Sequence, residues 1–428
     1  MRLLLGVFIA FTLIFGGCAS KDKAVKKDRI VVWHWMTDRQ EAFEELSKKY
    51  EDLTGIKVNF ELFSPPDSYS QKILAAAQAK TLSDIFGVLG EKIDVASFIK
   101  AGHVVDLTPY LEENEAEWKS RFFTSALAVT SFEKDNAFGV TEGTYAIPID
   151  LMNIQMVCNN KLLRQAGIQR PPQAWEEFIA DLKTLKEKGI KGLVSGWAET
   201  WMIDCMVSNY AFNIMGEDKV IKTIKAEAPY TDSDWLRVFK LFEELRDSGG
   251  LASGVVTMDN KYAEQLFANE KVAFAFNGSW CVNVYQGMNP KLDYSVILPP
   301  EASDAYPMKI WGGAGSSFYV NARSFLSKEA VEFLKWLTDK EQQVFLVNKT
   351  KNLPSNRQAL SGIPKELSEF ADDSDSITHP NMWPFQEYPA VIEAFTKGVQ
   401  SIIIGEKTAQ ELVEEVQRIK EKEIQRRN

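Results

Sequence analysis

Tryptophan is the residue type in this 428-residue sequence whose number and placement could do chemistry, with 11 copies. Four of them lie in helical patterns, where packing in a core is the default explanation. The other seven follow predicted strands or lie in loops: Trp33, Trp35, Trp197, Trp201, Trp280, Trp311 and Trp383. An indole face is flat and apolar and matches the C–H face of a pyranose, while neighbouring polar side chains can bind hydroxyl groups at its edge.

Motifs for other chemistries are missing from the sequence. It contains no GxSxG, P-loop or GxGxxG pattern, so nucleophilic and nucleotide chemistry are unsupported. Adjacent acids such as Glu176-Glu177 fall on amphipathic helices, where they are typical of a solvated face. The three histidines, His34, His103 and His379, are scattered, and no HExxH or paired Cys/His spacing could build a transition-metal site. We therefore expect a protein that is not an enzyme and has neither metal nor cofactor.

The composition indicates a folded, acidic protein. With 45% hydrophobic and 25% charged residues, the chain has material for large cores and a length that predicts two or three domains. The net charge of −10 is opposite to that of a nucleic-acid binder, so DNA and RNA are excluded as partners.

The first 28 residues have a different character from the rest. Residues 1–17 have the plan of a secretory signal, with a positive Arg2, an apolar run and Gly16-Gly17 before Cys18. The segment resembles a bacterial lipobox, although Phe15 stands where Leu is usual. We expect Cys18 to be diacylated and residues 18–28 to form a tether, so that the protein is exported and lipid-anchored, facing the periplasm or the cell exterior. The alternative is ordinary secretion.

Three further cysteines, Cys158, Cys205 and Cys281, are widely spaced. An exported chain with this odd number allows at most one internal disulfide, with Cys205 and Cys281 the first pair to test. Buried free thiols are the favoured interpretation.

The elements that must position these residues alternate between strands and helices. An apolar run at 30–35 predicts a covered strand, followed by a helix, an alternating strand at 56–62, a helix from Asp67 through Lys80 and a strand at 84–89. This is a βαβαβ unit with a parallel sheet, and a second such region begins near Asp150. Beyond it we predict a short helix capped by Asn160, a helix at about 199–215 and a strand at 317–321. Two α/β regions leave a cleft between them, with ligand bound at the carboxyl ends of the strands.

Several motifs of this sequence resemble those of one protein family and occur in the same order along the chain. Residues 30–60 resemble the opening of the family of bacterial extracellular solute-binding proteins that includes maltodextrin-binding proteins. Other motifs follow in the family's order over nearly all of the mature chain: Ser83-Asp84-Ile85-Phe86, Tyr145-Ala-Ile-Pro-Ile149, Pro171-Pro-Gln-Ala-Trp175, Phe274-Ala-Phe-Asn-Gly-Ser-Trp280, Trp311-Gly-Gly-Ala-Gly315, Leu353-Pro-Ser-Asn-Arg357 and Gly405-Glu-Lys-Thr-Ala-Gln-Glu-Leu412.

The resemblance implies an α/β fold of the periplasmic-binding-protein-like type II. In that fold two discontinuous lobes are joined by a hinge around a cleft. We expect lobe 1 at 29–149 plus about 299–350, and lobe 2 at 150–298 plus about 351–428. Such a protein is a monomer that delivers solute to the permease subunits of an ABC importer. The family's strand followed by Asn-Gly-x-Trp places its tryptophan, here Trp280, against a sugar ring.

We therefore predict a carbohydrate-binding site to which lobe 2 contributes most of the stacking. Glu91, and with it Asp84, is expected to accept sugar hydroxyls from lobe 1. The ligand-binding set is Trp35, Asp84, Glu91, Trp197, Trp201, Asn277, Trp280, Trp311 and Trp383. Two alternatives stay open: a glycoside-processing lipoprotein with the same aromatic cleft, and the same fold binding a non-sugar solute such as a polyamine or a metal chelate.

Overall fold

The computed structural model describes residues 29–89, 92–136, 138–372 and 387–427. The strands are β1 (Arg29–His34), β2 (Lys57–Leu62), β3 (Ile85–Gly87), β4 (Ser131–Phe132), β5 (Gly143–Thr144), β6 (Ile147–Asn159), β7 (Lys191–Val194), β8 (Val272–Gly278), β9 (Tyr294–Ile297), β10 (Gly312–Val320) and β11 (Leu353–Pro354).

The helices outnumber the strands and cover the sheet. In chain order they are α1 (Gln40–Thr54), α2 (Pro66–Ala79), α3 (Lys92–Lys100), α4 (Thr108–Leu111), α5 (Glu113–Ser120), α6 (Thr124–Thr130), α7 (Asn160–Ala166), α8 (Trp175–Glu187), α9 (Trp201–Ile224), α10 (Ser233–Ser248), α11 (Asn260–Ala268), α12 (Cys281–Met288), α13 (Ser327–Leu337), α14 (Lys340–Thr350), α15 (Lys365–Asp372), α16 (Pro389–Ile404) and α17 (Ala409–Arg427). No helix in the described ranges is long and apolar enough to cross a bilayer.

The first half of the sheet confirms the predicted βαβαβ unit. Strand β1 pairs in parallel with β2 on one side and with β3 on the other. Strand β10 then adds antiparallel to β3, and it also pairs antiparallel with β6. The strand order across the main path is β2-β1-β3-β10-β6-β8-β7.

Strand β6 joins the two halves of the sheet. Its first residues pair with β10 and β11, whereas its last residues pair with β8 and β9. All but one of its 13 residues are buried. Strands covered on both faces are usually apolar, whereas β6 also buries the polar residues Asp150, Asn153 and Gln155.

Several predicted boundaries move for identifiable reasons. The helix predicted at 199–215 continues as α9 to Ile224, across Gly216 at φ 73°. The side chain of Asn159 caps α7 by accepting from the Leu162 amide, where Asn160 was expected to cap it. The strand predicted at 317–321 begins earlier, at Gly312, because residues 312–314 pair with β6.

The cysteines and helical tryptophans belong to the core. Cys158, Cys205 and Cys281 are buried free thiols, so Cys205 and Cys281 form no disulfide. Burial raises the pKa of all three thiols. Among the helical tryptophans, Trp175 and Trp235 are at most 1% exposed, which confirms that they pack inside the protein.

Candidate functional site

A cavity of about 220 Å³ opens at the carboxyl ends of β1 and β3. This is the edge at which open α/β sheets bind ligands. Two of the predicted tryptophans, Trp35 and Trp311, line it together. The remaining wall includes Val88, Leu89, Lys92, Thr130, Met152, Tyr319 and the start of β10 at residues 312–317.

Trp35 lies over the last residue of β3. A Cβ atom at Gly87 would come within 2.3 Å of the indole, so the ring rests directly on the strand backbone. Its other neighbour is the ring of Tyr69, with centroids 5.3 Å apart. The Tyr69 hydroxyl holds this end of β3, because it donates to the Gly87 carbonyl oxygen at 2.8 Å and accepts from the Gly87 amide at 3.0 Å. The Trp35 ring is therefore fixed from two sides.

Trp201 and Trp280 form an aromatic pair on the other side of β6. Their ring centroids lie 5.9 Å apart and their planes meet at 51°. Trp280 follows β8 and rests on Gly278, where an added Cβ would come within 1.9 Å of the indole. Trp201 is the first residue of α9 and is 37% exposed. The pair is an open, angled apolar surface.

The buried carboxylate of Glu264 holds the indole of Trp280. Its Oε1 atom accepts from Trp280 Nε1 at 2.9 Å, from Asn260 Nδ2 at 2.9 Å and from Asn277 Nδ2 at 3.2 Å. Glu264 is only 5% exposed. Burial raises its pKa, the three donors oppose that shift, and the nearby Glu199 reinforces it.

Glu199 holds the second indole of the pair. Its Oε2 atom accepts from Trp201 Nε1 at 3.2 Å, and its Oε1 atom accepts from the Asn260 backbone amide at 2.8 Å. Asn260 thus connects the two carboxylates, through its amide to Glu199 and through its side chain to Glu264. Each indole is held at its polar edge, which leaves ring surface for a ligand.

Strand β6 brings the aromatic pair and the cavity close to each other. Gly278 at the end of β8 pairs with Ile154, and Gly312 at the start of β10 pairs with Asn153 on the opposite side. Ile154 also donates its amide to the Trp311 carbonyl oxygen at 3.0 Å. Neighbouring strands lie about 4.8 Å apart, so β8 and β10 are separated by roughly 10 Å at this level.

A buried ion pair lies where the paired strands β6 and β10 run from one lobe to the other. Arg39 Nη2 is 2.5 Å from Asp150 Oδ2, and Arg39 Nη1 donates to Ser316 Oγ at 2.7 Å. Asp150 Oδ1 accepts from both the amide and the hydroxyl of Ser316. The pairing of β10 with β6 shifts register beside Ser316, and a Cβ at Gly315 would lie 3.0 Å from Asp150 Oδ1. The network fixes the irregular stretch of the crossing strands.

Three predicted site residues are corrected by their burial. Asp84 is 0% exposed at the start of β3, where its carboxylate accepts from the Val31 amide and from Ser324 Oγ, so it supports the sheet. Trp197 is also 0% exposed and packs near Phe242 in the core. Asn277 is 2% exposed and donates to Glu264, so it supports Trp280 from beneath.

Other predicted residues lie outside the described part of the chain. Glu91, Trp383 and Cys18 belong to this group, and their roles stay predictions. In the described residues, no group of three or more His, Cys, Asp or Glu side chains is arranged to hold a metal ion.

The structure adds residues that sequence reasoning missed, chiefly Tyr69, Lys92 and Glu264. One signal for Glu264 was present, because it recurs with Asn260, Ala263 and Phe267 at the spacing of a buried helical face. An acid on an apolar face requires hydrogen-bond donors, and the tryptophan is one of them.

Comparison with known proteins places this architecture in a family. The family model for bacterial extracellular solute-binding proteins matches residues 34–344. The chain belongs to this family. As a member of an extracellular family, this solute-binding protein is exported. The family match and the two lobes confirm the expected resemblance and the type II fold.

The relatives of this solute-binding protein are named as binding proteins. A chain from Brucella abortus is 24% identical over 394 residues, covering 85% of both chains. A multiple sugar-binding protein from Streptococcus mutans is 21% identical over 350 residues, which are 78% of this chain and 77% of the relative. The solved structure of a chitin oligosaccharide binding protein superposes with a TM-score of 0.74 at 21% identity, covering 92% of this chain and 98% of that one.

Proposed function

We propose that this solute-binding protein captures a carbohydrate between its lobes and delivers it to the permease of an ABC importer. The observation that supports this most directly is the placement of aromatic surfaces on both sides of β6. Trp35 and Trp311 line the cavity, while Trp201 and Trp280 form the angled pair beyond the end of β8. Closure about the hinge would bring the two surfaces onto opposite sides of a sugar.

The energetics of ring stacking are sufficient for this function. A tryptophan side chain offers about 150–250 Å² of surface. Covering half of it contributes about 2–3 kcal/mol at roughly 25 cal/mol per Å². Two such stacks and a few charge-assisted hydrogen bonds support micromolar binding, for which about 8 kcal/mol is needed. The names of the multiple sugar-binding and chitin oligosaccharide-binding relatives point to the same ligand class.

Ligand binding would be coupled to closure through the crossing strands. A ligand shifts the open and closed populations only if it contacts the closed state better, which requires contacts from both lobes. The Arg39–Asp150 pair anchors the region where β6 and β10 cross. The lobes can therefore rotate about a fixed point while the two aromatic surfaces approach each other.

A panel of oligosaccharides tests the function. The purified mature protein is incubated with each sugar, and thermal stabilisation, heat of binding and product release are measured. A binding protein gives stoichiometric binding with a midpoint shift that grows with ligand concentration. Release of cleaved product at catalytic turnover would support a glycoside-processing enzyme instead. Stabilisation by a polyamine or a metal chelate, with no response to any sugar, would also overturn the proposal.

The proposed location is the outer face of the cell membrane, through lipid on Cys18. The sequence before Cys18 supports this, and the lysine-containing tether would separate the anchor from the fold. Cys18→Ser is expected to leave the protein unacylated while the affinity of the folded domain stays unchanged. Mass spectrometry of the native protein decides the matter, because an unmodified Met1 or an unacylated Cys18 contradicts anchoring.

A further inference from the structure

Among the described residues that line the cavity, one has a charged side chain, and that residue is Lys92. The other polar groups of the wall are neutral, including Thr130, Ser316 and Ser317. Neutral hydroxyls and backbone groups suffice to bind the hydroxyls of a sugar. A cation in this position has a further preference, because it favours a ligand group of opposite charge.

Among the described residues, no carboxylate pairs directly with Lys92, and Glu133 favours its charged form only from beyond ion-pair distance. The Lys92 Nζ atom donates to the Ala128 carbonyl oxygen at 3.3 Å and lies 4.8 Å from the centre of the Phe132 ring. Within the described ranges, no carboxylate forms an ion pair with it at 4.0 Å or less. Carbonyl and aromatic contacts solvate an ammonium only partly, so it retains capacity for an anion.

The position of Lys92 in its helix adds to the positive potential. It is the first residue of α3, which runs for nine residues to Lys100. The amides of a first helical turn carry partial positive charge, and this favours anions near that end. Burial also lowers the pKa of Lys92 to about 8, an effect that Glu133 opposes. Its charge therefore costs free energy at this partly buried position, and an anion beside it would offset part of that cost.

We infer that the cavity binds a carbohydrate that bears an anionic group, and that Lys92 receives this group. The inference rests on the proposed carbohydrate-binding function and specifies the ligand class. Both a uronate carboxylate and a sugar phosphate have the required chemistry. The sugar's neutral rings would extend towards Trp280, because the carboxylates of Glu199 and Glu264 behind that pair repel an anion.

Calorimetric titration of the mature protein with matched pairs of ligands tests the inference. The pairs are oligogalacturonides with neutral galacto-oligosaccharides, glucuronate-bearing xylo-oligosaccharides with plain ones, and hexose phosphates with the free hexoses. We expect at least one acidic member to bind ten times or more tightly than its neutral partner, as charge-assisted hydrogen bonds commonly give. The uronate and phosphate arms identify which anion is preferred.

Three variants test whether Lys92 causes the preference for the acidic ligand. Lys92→Met should remove most of it, and Lys92→Arg should keep it because the charge is retained. The matched control is Lys100→Met, at the exposed opposite end of the same helix. This variant should leave the affinities for the acidic and the neutral ligands unchanged. Circular dichroism and thermal midpoints confirm that each variant is folded.

Different results would overturn the role of Lys92 and the carbohydrate-binding function. Neutral members that bind as tightly as the acidic ones would overturn the role of Lys92 while leaving carbohydrate binding intact. The same conclusion follows if Lys92→Met keeps the full preference for the anion. Failure of every sugar in the panel, acidic and neutral, would overturn the proposed function itself.

Discussion

The two lobes each place a tryptophan against a strand-end glycine but hold the indole differently. In each lobe an indole rests on the glycine that ends a strand, Trp35 on Gly87 and Trp280 on Gly278. A glycine without Cβ allows the ring to approach the backbone closely. In lobe 1 the second contact of the indole is another ring, that of Tyr69. In lobe 2 the indole nitrogen donates to a buried carboxylate.

This difference indicates that the two lobes contribute differently to ligand binding. The lobe 2 pair is open, with Trp201 at 37% exposure, and its polar edges are already held by Glu199 and Glu264. The lobe 1 tryptophan instead lines a cavity whose wall includes Lys92. We therefore expect lobe 2 to bind a sugar ring first, and lobe 1 to close over it and bind its polar groups.

The largest effect is expected where the two regions are joined. Arg39→Met should lower the free energy of unfolding by about 3–5 kcal/mol, because it leaves Asp150 buried with its charge uncompensated. Urea unfolding measures this loss. The comparison predicts that affinity for a cognate sugar falls as well, since both surfaces depend on how β6 and β10 cross.

An exposed ion pair of the same lobe is the control for Arg39. Lys349→Met breaks the ion pair between Lys349 and Glu45, in which the two side chains are 43% and 40% exposed. Because water screens this pair, the variant should lose far less stability than Arg39→Met. Equal losses in the two variants would mean that the crossing is held by strand pairing alone.

The second prediction concerns the lobe that supplies stacking. Trp280→Ala should reduce the affinity for a cognate sugar by about 2 kcal/mol or more, as buried tryptophan anchors commonly do. Trp35→Ala should cost less, because the ring is partly engaged with Tyr69. Titration calorimetry on both variants shows which lobe contributes more to the binding free energy. A larger loss in Trp35→Ala would reverse the proposed order of docking.

The third prediction tests the close contact between each indole and its glycine without removing the tryptophan. Gly278→Ala forces the Trp280 ring to move, since the new Cβ would lie 1.9 Å from it. Gly87→Ala acts on Trp35 in the same way, at 2.3 Å. Each should weaken sugar binding by about 1 kcal/mol, a fraction of the loss from removing the ring. Unchanged affinity in either variant would show that the position of that ring is unimportant.

How far the sequence predicts this arrangement depends on the range of the interactions. Local patterns identified the strand β1, the helix α1 and the parallel unit, because periodicity and turn residues act within a few positions. Local patterns and the family resemblance also singled out Trp280 through its Asn-Gly-x-Trp motif, and its contact with a sugar stays a prediction. They failed for Trp197, which follows a strand as Trp280 does but points into the core.

The failures share a cause. Whether a strand-end residue faces the cleft depends on what covers it from elsewhere in the chain. Asp84 is covered through Ser324, 240 positions away, and Asn277 is bound by Glu264 from a different element. Such contacts between distant residues carry no periodic signal. The Lys92 ammonium group was missed for the same reason, since its significance depends on a cavity wall built by several strands.

The smallest effect is expected at the carboxylate that distinguishes lobe 2. The Glu264 pKa is raised above its ordinary value of 4.5, chiefly by burial. Because the folded state then holds the proton more tightly than the unfolded state, the protonated form stabilises the fold. That contribution is fully present below about pH 4.5 and is lost as the pH rises through the raised pKa of the folded state.

Glu264→Gln imitates the protonated form and keeps an oxygen to accept from Trp280 Nε1. Its advantage in unfolding free energy over the unsubstituted protein should therefore be small near pH 4 and grow towards pH 7, while sugar affinity changes little. Urea unfolding at both pH values measures this difference. If the three donors on Oε1 outweigh burial, the sign reverses and the variant is the less stable protein at pH 7. Lobe 2 would then hold its tryptophan through a stabilised charge, and the carboxylate would be an electrostatic anchor for the indole.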